Sequence, residues 1–598
     1  MKKKILAALL CLSLLSGCGG APVSLPEAEQ PDSSPVIAYV PLDDRPDNVG
    51  RVVYLAESLG YTLHMPEEWM YKTLLDGQLE DYYVEKGLEI QSWTGQSGYP
   101  ALLYDWVLEQ EAAGCDRYIL SMDQLLYGGL VASRLAEDTT ERDGEPWPLT
   151  ELLESLLSAL AADPDNEVWL LDSVMRLAPT VGYNGGTLEE YNALRAFGAA
   201  PRKTLTGDEL TLDAIRSTYD TGADGRSLMD FGSDSAMCGT AVRYMAHRIS
   251  KLSLSGKLLE AVDRLGRDRF HVLIGIDDSS SEDCIQKNEI AYLNARLREG
   301  DVILSGVDDL AFKAVAKLYL SEVEWSGASV GVQYFGGTEG QPACDYDYKP
   351  LTEIVAEHLG YFGLTESENP DLHVLVLTQP EDAGQKQQYI KELIRVLKQQ
   401  LDDNLPVILI DAGNGQYGTA FHDALVKETE LGKLLSYAGF LDMAIVTGTA
   451  LSHGVARYAH LVQGETSQAE ESAFCKTLAD SILKDFCYKN AVREDILSYV
   501  RNDLGGDANN FCRPELDRDA ITARLAEGMN DAAAPVVKNL EHSSLLISLK
   551  EDAVSAGWGA IALSNYRFPW ERAFEMDMDL AIDPPGQPHK RILGLYYQ

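Results

Sequence analysis

The chain has 598 residues, 45% of them hydrophobic and 24% charged, with a formal net charge of −43. The length exceeds one ordinary domain, and the composition is that of a folded protein, not a disordered one. So acidic a surface repels nucleic acid and anionic lipid head groups, which excludes nucleic acid as an expected partner.

In chain order, Met1-Lys2-Lys3-Lys4 is a basic start and Ile5 to Leu15 an apolar run too short to span a bilayer. Leu15-Ser16-Gly17-Cys18 follows and resembles the bacterial lipobox, whose cysteine is acylated. Residues 1–17 therefore read as a lipoprotein signal peptide and 18–35 as a Gly-, Ala-, Pro- and Ser-rich tether. The expected setting is the extracytoplasmic bacterial surface, with the membrane reached through a lipid anchor at Cys18. The remaining cysteines contain no CxxC pair and read mostly as small buried apolar residues.

From Val36 to about residue 460, short apolar runs alternate with helical stretches. Strands are predicted at Val36–Val40, Arg117–Ser121, Val168–Leu171, His271–Ile276, Val302–Leu304, Ser329–Gln333, His373–Leu377, Val407–Ile410 and Met443–Val446. Between them lie predicted helices such as Leu102–Ala113, Ala241–Leu265, Gln385–Gln400 and Phe421–Leu435. This alternation implies an α/β fold with parallel strands. Eight or nine strands over some 400 residues suit a (β/α)8-barrel-like domain over 36–460, with a doubly wound open sheet as the competitor. Residues 461–598 read as a C-terminal, mostly helical domain.

Acids recur just after the apolar runs: Asp43 and Asp44, Asp123, Asp172, Asp277 and Asp278, Asp308 and Asp309, and Asp411. In a parallel α/β fold these positions gather at the carboxyl ends of the strands, where ligands bind. Clustered carboxylates raise one another's pKa, which suits glycoside hydrolysis, where one acid protonates the leaving oxygen. They also suit hard metal ions, so a metal-dependent hydrolase is an alternative. Ten histidines with no HxH or HExxH spacing give no zinc motif. There is no GxGxxG after the first strand, no phosphate-binding GxxxxGK[ST] and no GxSxG elbow, and no cofactor or resident metal is expected. Arg45, Arg134 and Arg176 accompany the acids, either as structural partners or to bind an anionic substrate group. Trp69, Trp93, Tyr99, Tyr127, Tyr183, Tyr334 and Phe335 are candidates for stacking on sugar faces.

Pro41-Leu42-Asp43-Asp44-Arg45-Pro46-Asp47-Asn48 and Ser121-Met122-Asp123 through Arg134 resemble the first two blocks of the bacterial family known as domain of unknown function 4127. Met175-Arg176, Gly275-Ile276-Asp277-Asp278, Gly306-Val307-Asp308-Asp309 and Pro569-Trp570-Glu571-Arg572-Ala573-Phe574-Glu575 resemble later blocks. The resemblance implies a bacterial, often exported protein and brings no activity. After Tyr437-Ala438-Gly439 that family tends to continue with a Trp-Asn-Thr run and a further Asn. This chain has Phe440-Leu441-Asp442 and, later, Ile445, which implies altered specificity or lost activity if those asparagines bind substrate.

The Asp-Asp pair is also similar to that of the O-GlcNAcase and hyaluronidase-like β-N-acetylglucosaminidases. That likeness implies Asp277 as the group orienting a substrate acetamido and Asp278 as the general acid. The expected function is glycan hydrolysis through this pair, with Asp43, Asp44, Arg45, Asp123, Tyr127, Arg134, Arg176, Asp308 and Asn414 lining the site. The other alternative is a non-catalytic surface lipoprotein that binds a glycan or another small ligand.

Overall fold

The computed structural model describes residues 34–586 apart from 77, 79–96, 136, 232–234, 267, 440–442, 514 and 552. The signal peptide, Cys18, most of the tether and Trp93 lie outside the described residues, as do Phe440, Leu441 and Asp442. No described helix is long and apolar enough to cross a membrane.

The strands are β1 (Val36–Val40), β2 (Thr62–His64), β3 (Arg117–Ser121), the hairpin pair β4 (Thr139–Arg142) and β5 (Glu145–Pro148), β6 (Glu167–Val174), β7 (Phe270–Ile276) and β8 (Val302–Ser305). They continue with β9 (Ala328–Phe335), β10 (Leu364–Glu366), β11 (Leu372–Thr378), β12 (Val407–Ala412) and β13 (Ser436–Gly439), then β14 (Ser544–Ser548), β15 (Val554–Gly557), β16 (Ile561–Arg567) and β17 (Asp577–Ile582). Two sheets carry the fold, ordered β2-β1-β3-β6-β7-β8 and β10-β9-β11-β12-β13, and every neighbouring pair in both is parallel. The α/β class with parallel strands is therefore present. Among the described residues the pairing closes no ring of eight strands. In each sheet the strand order reverses beside the first strand.

The apolar runs are continuous because each strand is covered on both faces. Side chains alternate between cores with the period of two that a strand imposes. Ile37 and Tyr39 enter the core between the sheets, while Ala38 and Val40 enter the outer core of the first sheet. Val374 and Val376 face the same central core, and Leu375 and Leu377 face the outer core of the second sheet. The helices Leu310–Glu322 and Met443–Gln463 fill the space between the sheets.

Two expectations need correction. Met443–Val446 is the start of a helix, not a strand; the last strand of the second sheet is Ser436–Gly439. That helix is buried nearly all round, so its apolar opening lacks the polar face that marks a helix and reads like a covered strand. The predicted helix Phe421–Leu435 ends at Glu428, because the chain must turn through Leu431–Lys433 to enter β13.

The segment after 461 contains the helix Gln468–Ser481, a π-helical continuation Ile482–Val492, the helix Arg518–His542 and two antiparallel strand pairs. Phe474, Leu478, Ile521 and Leu525 share one core with β11 and β12, so this segment forms the outer cover of the second sheet.

Candidate functional site

The site begins where β1, β7 and β8 end. β1 leads into Asp43, which accepts from Arg45 Nη2 at 2.7 Å and from Asn48 Nδ2 at 3.0 Å. The same guanidinium reaches Asp308 after β8, with Nη1 to Oδ2 at 2.9 Å. Arg45 thus bridges two strand ends that are 263 residues apart in sequence. Gly275 makes this geometry possible from within β7: a Cβ there would stand 2.8 Å from Val307 Cα, so only glycine lets the turn after β8 lie against β7.

At the end of β7 the two acids part. Asp277 is buried and accepts from Arg134 Nε at 3.1 Å and Nη2 at 2.8 Å through one oxygen. Its other oxygen accepts the Asp278 backbone N–H at 2.8 Å. Asp278 is partly open and pairs with Arg176 Nη1 at 3.0 Å. Burial raises the Asp277 pKa, but Arg134 and Arg176 outweigh it and hold the carboxyl below its ordinary range. Asp278 moves the other way: burial pushes it up, Arg176 offsets only part of that, and the Asp277 charge adds to the rise. Asp308 is also raised, by burial against the opposing pull of Arg45.

Asp277, Asp278 and Asp308 line one cleft with Tyr346, Tyr348 and Ile445. Its free volume is about 20 Å³, room for one water. Tyr346 stands 38% exposed at its mouth, with Arg195 stacked 4.3 Å from the ring centre. The loop after β9 brings it there and is tied down where the Ser279 N–H meets the Tyr346 carbonyl at 2.9 Å. Asp308 and Ile445 also border a second small cavity with Asp47, Arg51, Gly439 and Asp485, so the carboxyl ends of β8 and β13 face each other across one seam. Ile445, where the family resemblance leads one to expect an asparagine, lines both cavities.

The structure therefore gathers Asp43, Arg45, Arg134, Arg176, Asp277, Asp278 and Asp308. Asp44 sits just behind them, held by Lys72 Nζ at 2.9 Å, the Thr73 N–H at 3.1 Å and Trp570 Nε1 at 3.0 Å. The remaining predicted residues lie apart. Asp123 is fully buried and paired with Lys251, whose ammonium also lies 5.3 Å from the centre of the Tyr127 ring. Asp172 falls inside β6, which outruns its apolar core by three residues, and neighbours the same lysine. Asp309 is spent on Lys313 at 2.9 Å. Asn414 occupies the turn after β12 with φ 45°, a conformation asparagine tolerates, and lines neither cavity. Nearby, Asp411 pairs with His422 Nε2 at 3.0 Å.

Of the predicted aromatics, Tyr99, Tyr127 and Tyr183 line a separate cavity of about 780 Å³ beside the β4–β5 hairpin, and Tyr334 and Phe335 lie in β9. Sequence reasoning missed Tyr346, Trp570, Arg572 and Glu575 as site residues. Tyr346 carried no signal, but the other three stood in a block that bears the family resemblance.

The charges of Arg45, Arg176 and Arg134 act on Arg572, opposed by that of Glu575. No three His, Cys, Asp or Glu side chains are placed to hold a metal ion among the described residues. No curated protein and no solved structure matches the chain. Residues 84–579 match the family described as "Protein of unknown function (DUF4127)", and the chain belongs to that family.

Proposed function

We propose that the chain is a lipid-anchored, extracytoplasmic hydrolase that acts on a glycan through Asp277 and Asp278. The observation that carries this reading is the unlike setting of two adjacent carboxyls, Asp277 buried on the Arg134 fork and Asp278 partly open beside Arg176. Arg134 and Arg176 hold the Asp277 carboxyl below its ordinary range, while burial and the Asp277 charge push that of Asp278 above it. Neighbouring acids pushed apart in this way are what acid catalysis beside a fixed carboxylate needs.

In this reading Asp278 gives its proton to the glycosidic oxygen as the bond to the anomeric carbon breaks. Asp277 accepts a hydrogen bond from a substrate acetamido N–H and turns the acetamido carbonyl oxygen toward that carbon, to which it bonds as the glycosidic bond breaks; water, losing a proton to the Asp278 carboxylate, then adds to the carbon and releases the carbonyl oxygen. Tyr346 offers a ring face at the mouth, suited to stacking on a sugar. The fit of a whole sugar requires the seam between the sheets to open, since the cleft as it stands admits only a water.

The test is product release from a panel of glycans and p-nitrophenyl glycosides, including 2-acetamido-2-deoxy sugars. The wild type is expected to release product and Asp278→Asn to lose at least about 100-fold of it. Equal turnover by the two would remove Asp278 from the acid role. Saturable binding without product would favour a glycan-binding lipoprotein, and loss of activity with EDTA would favour a metal-dependent hydrolase.

A further inference from the structure

The cavity of about 780 Å³ beside the β4–β5 hairpin shares no residue with the Asp277–Asp278 cleft. Its volume is of the order that encloses a small organic ligand, roughly 300–1,000 Å³. The start of the helix Pro100–Ala112, the hairpin and the turn carrying Ala132 and Leu135 wall it. Between those two residues Arg134 reaches instead for Asp277 and for Thr180, with Nη1 to Oγ1 at 2.6 Å. Tyr183 and Asn184, just past Thr180, line the cavity as well. One guanidinium therefore pins two walls of the cavity while it holds the buried carboxylate of the cleft. Of the side chains around the cavity, Leu126, Leu149 and Tyr183 are buried, Tyr99 and Tyr127 half-buried, and Glu137, Glu141 and Asp143 exposed.

That division selects the ligand. Among the described residues the one basic group lining the cavity is Arg142, and it is taken. Its Nη2 donates to Asp105 Oδ1 at 2.9 Å, and the guanidinium lies 4.5 Å from the centre of the Trp147 ring and 5.2 Å from that of Tyr104. An anion would find no free cation and would face three exposed carboxylates. An ammonium would find those carboxylates only where water and salt screen them. A bare hydrocarbon would take the Tyr127 hydroxyl and the Thr140 side chain out of water without replacing their hydrogen bonds. An uncharged ligand with both C–H faces and hydroxyls suits every wall: tyrosine rings take the faces, and carboxylate and threonine oxygens accept from the hydroxyls. Burial pushes the Tyr183 hydroxyl up to about 12 and holds that of Tyr127 well above its ordinary value, so both keep the proton they donate. We infer that this cavity is a carbohydrate site separate from the cleft, and that it binds an uncharged oligosaccharide segment.

Binding here needs no bond to break, so the inference stands apart from the hydrolase reading, and its test is binding without turnover. The purified Asp278→Asn protein, which leaves the ligand intact, is titrated calorimetrically with the uncharged tetrasaccharides of glucose, mannose and N-acetylglucosamine. Spermidine and glucuronate are the cationic and anionic controls. At least one tetrasaccharide is expected to bind saturably, and both controls at least tenfold more weakly. Ala101→Trp, which fills the cavity from its helical wall, is expected to weaken that sugar at least tenfold. Tyr127→Phe, which keeps the ring and removes the hydroxyl, is expected to weaken it three- to tenfold, and carries the comparison should Ala101→Trp not fold. Tyr346→Ala, at the mouth of the cleft, is expected to leave the affinity unchanged. Absence of binding by all three sugars, or equal affinity with and without the cavity substitutions, would overturn the site. Binding that Tyr346→Ala abolishes and Ala101→Trp spares would assign the sugar to the cleft, and tighter binding of either control would overturn the uncharged class. Sugar binding that depends on Ala101 and Tyr127, in a wild type that releases no product from any glycan, would sustain the site and overturn the hydrolase reading alone.

Discussion

Trp570 donates its indole N–H to Asp44 Oδ1 at 3.0 Å, joining positions 526 residues apart. The same ring lies 5.1 Å from the Arg45 guanidinium and 4.6 Å from that of Arg572. The loop after the first strand and a segment near the C-terminus are thus one structural unit. Trp570→Phe keeps the ring and removes the donor, leaving Asp44 with Lys72 and the Thr73 N–H. The expected cost is about 1–3 kcal/mol, read as a lower denaturant midpoint at unchanged slope. An unchanged midpoint would show that the bond is dispensable.

The opposed shifts of Asp277 and Asp278 determine the shape of the pH profile. Asp278 must hold its proton, so kcat/KM falls as pH rises through its raised pKa. Asp277 must be ionised, so kcat/KM falls as pH drops through its lowered pKa. A bell with its plateau on the acidic side of neutrality is expected. Asp278→Asn should abolish the alkaline limb together with most of the activity. An alkaline limb surviving in that variant would assign it to another group.

Arg134 contributes through a fork that meets one oxygen of Asp277 with two nitrogens. Arg134→Lys retains charge but not that geometry. The expected result is an acidic limb moved to higher pH, since Asp277 loses part of what holds its carboxyl below the ordinary range. An acidic limb that stays in place would mean Arg176 suffices.

Glu575 links stability to pH. Its folded pKa of about 7 lies above the ordinary 4.5. The folded state therefore binds the proton more tightly; the contribution is full below about 4.5 and is lost as pH rises through 7. Glu575→Gln removes that loss. Its stability relative to wild type should increase between pH 4.5 and 8, by an amount on the order of 1–3 kcal/mol. A difference that does not vary with pH would place the proton elsewhere.

Gly448 lies where the central helix Met443–Gln463 crosses the Asp309–Lys313 pair. A Cβ there would run into Asp309 Oδ2 and stand 2.8 Å from Lys313 Cε. Both partners are fully buried. Gly448→Ala should therefore destabilise by about 1–3 kcal/mol despite the better helix propensity of alanine, measured by chemical denaturation. A neutral or stabilising result would mean the helix can shift.

Much of the fold was legible because the strands are covered on both faces. Continuous β-branched runs such as Val407–Ile410 and His271–Ile276 suit a covered strand better than any helix of that length, and eight of the nine predicted runs are strands. The edge strands Thr62–His64 and Leu364–Glu366 escaped notice because three residues, mostly exposed, carry no pattern. Met443–Val446 misled because a helix buried between two sheets loses its polar face.

In the site, the chemistry was legible where acid followed strand, as at Asp43, Asp277 and Asp308. The sequence by itself determined the α/β class, the recurrence of carboxylates at strand ends and the presence of arginines to answer them, because these follow from local periodicity and residue type. Only the tertiary structure decided which acids share a cleft. Strand order and the crossing of buried helices place Asp123 against Lys251, Asp309 against Lys313, and the Trp570 ring against both Arg45 and Arg572, and no spacing along the chain encodes those distances.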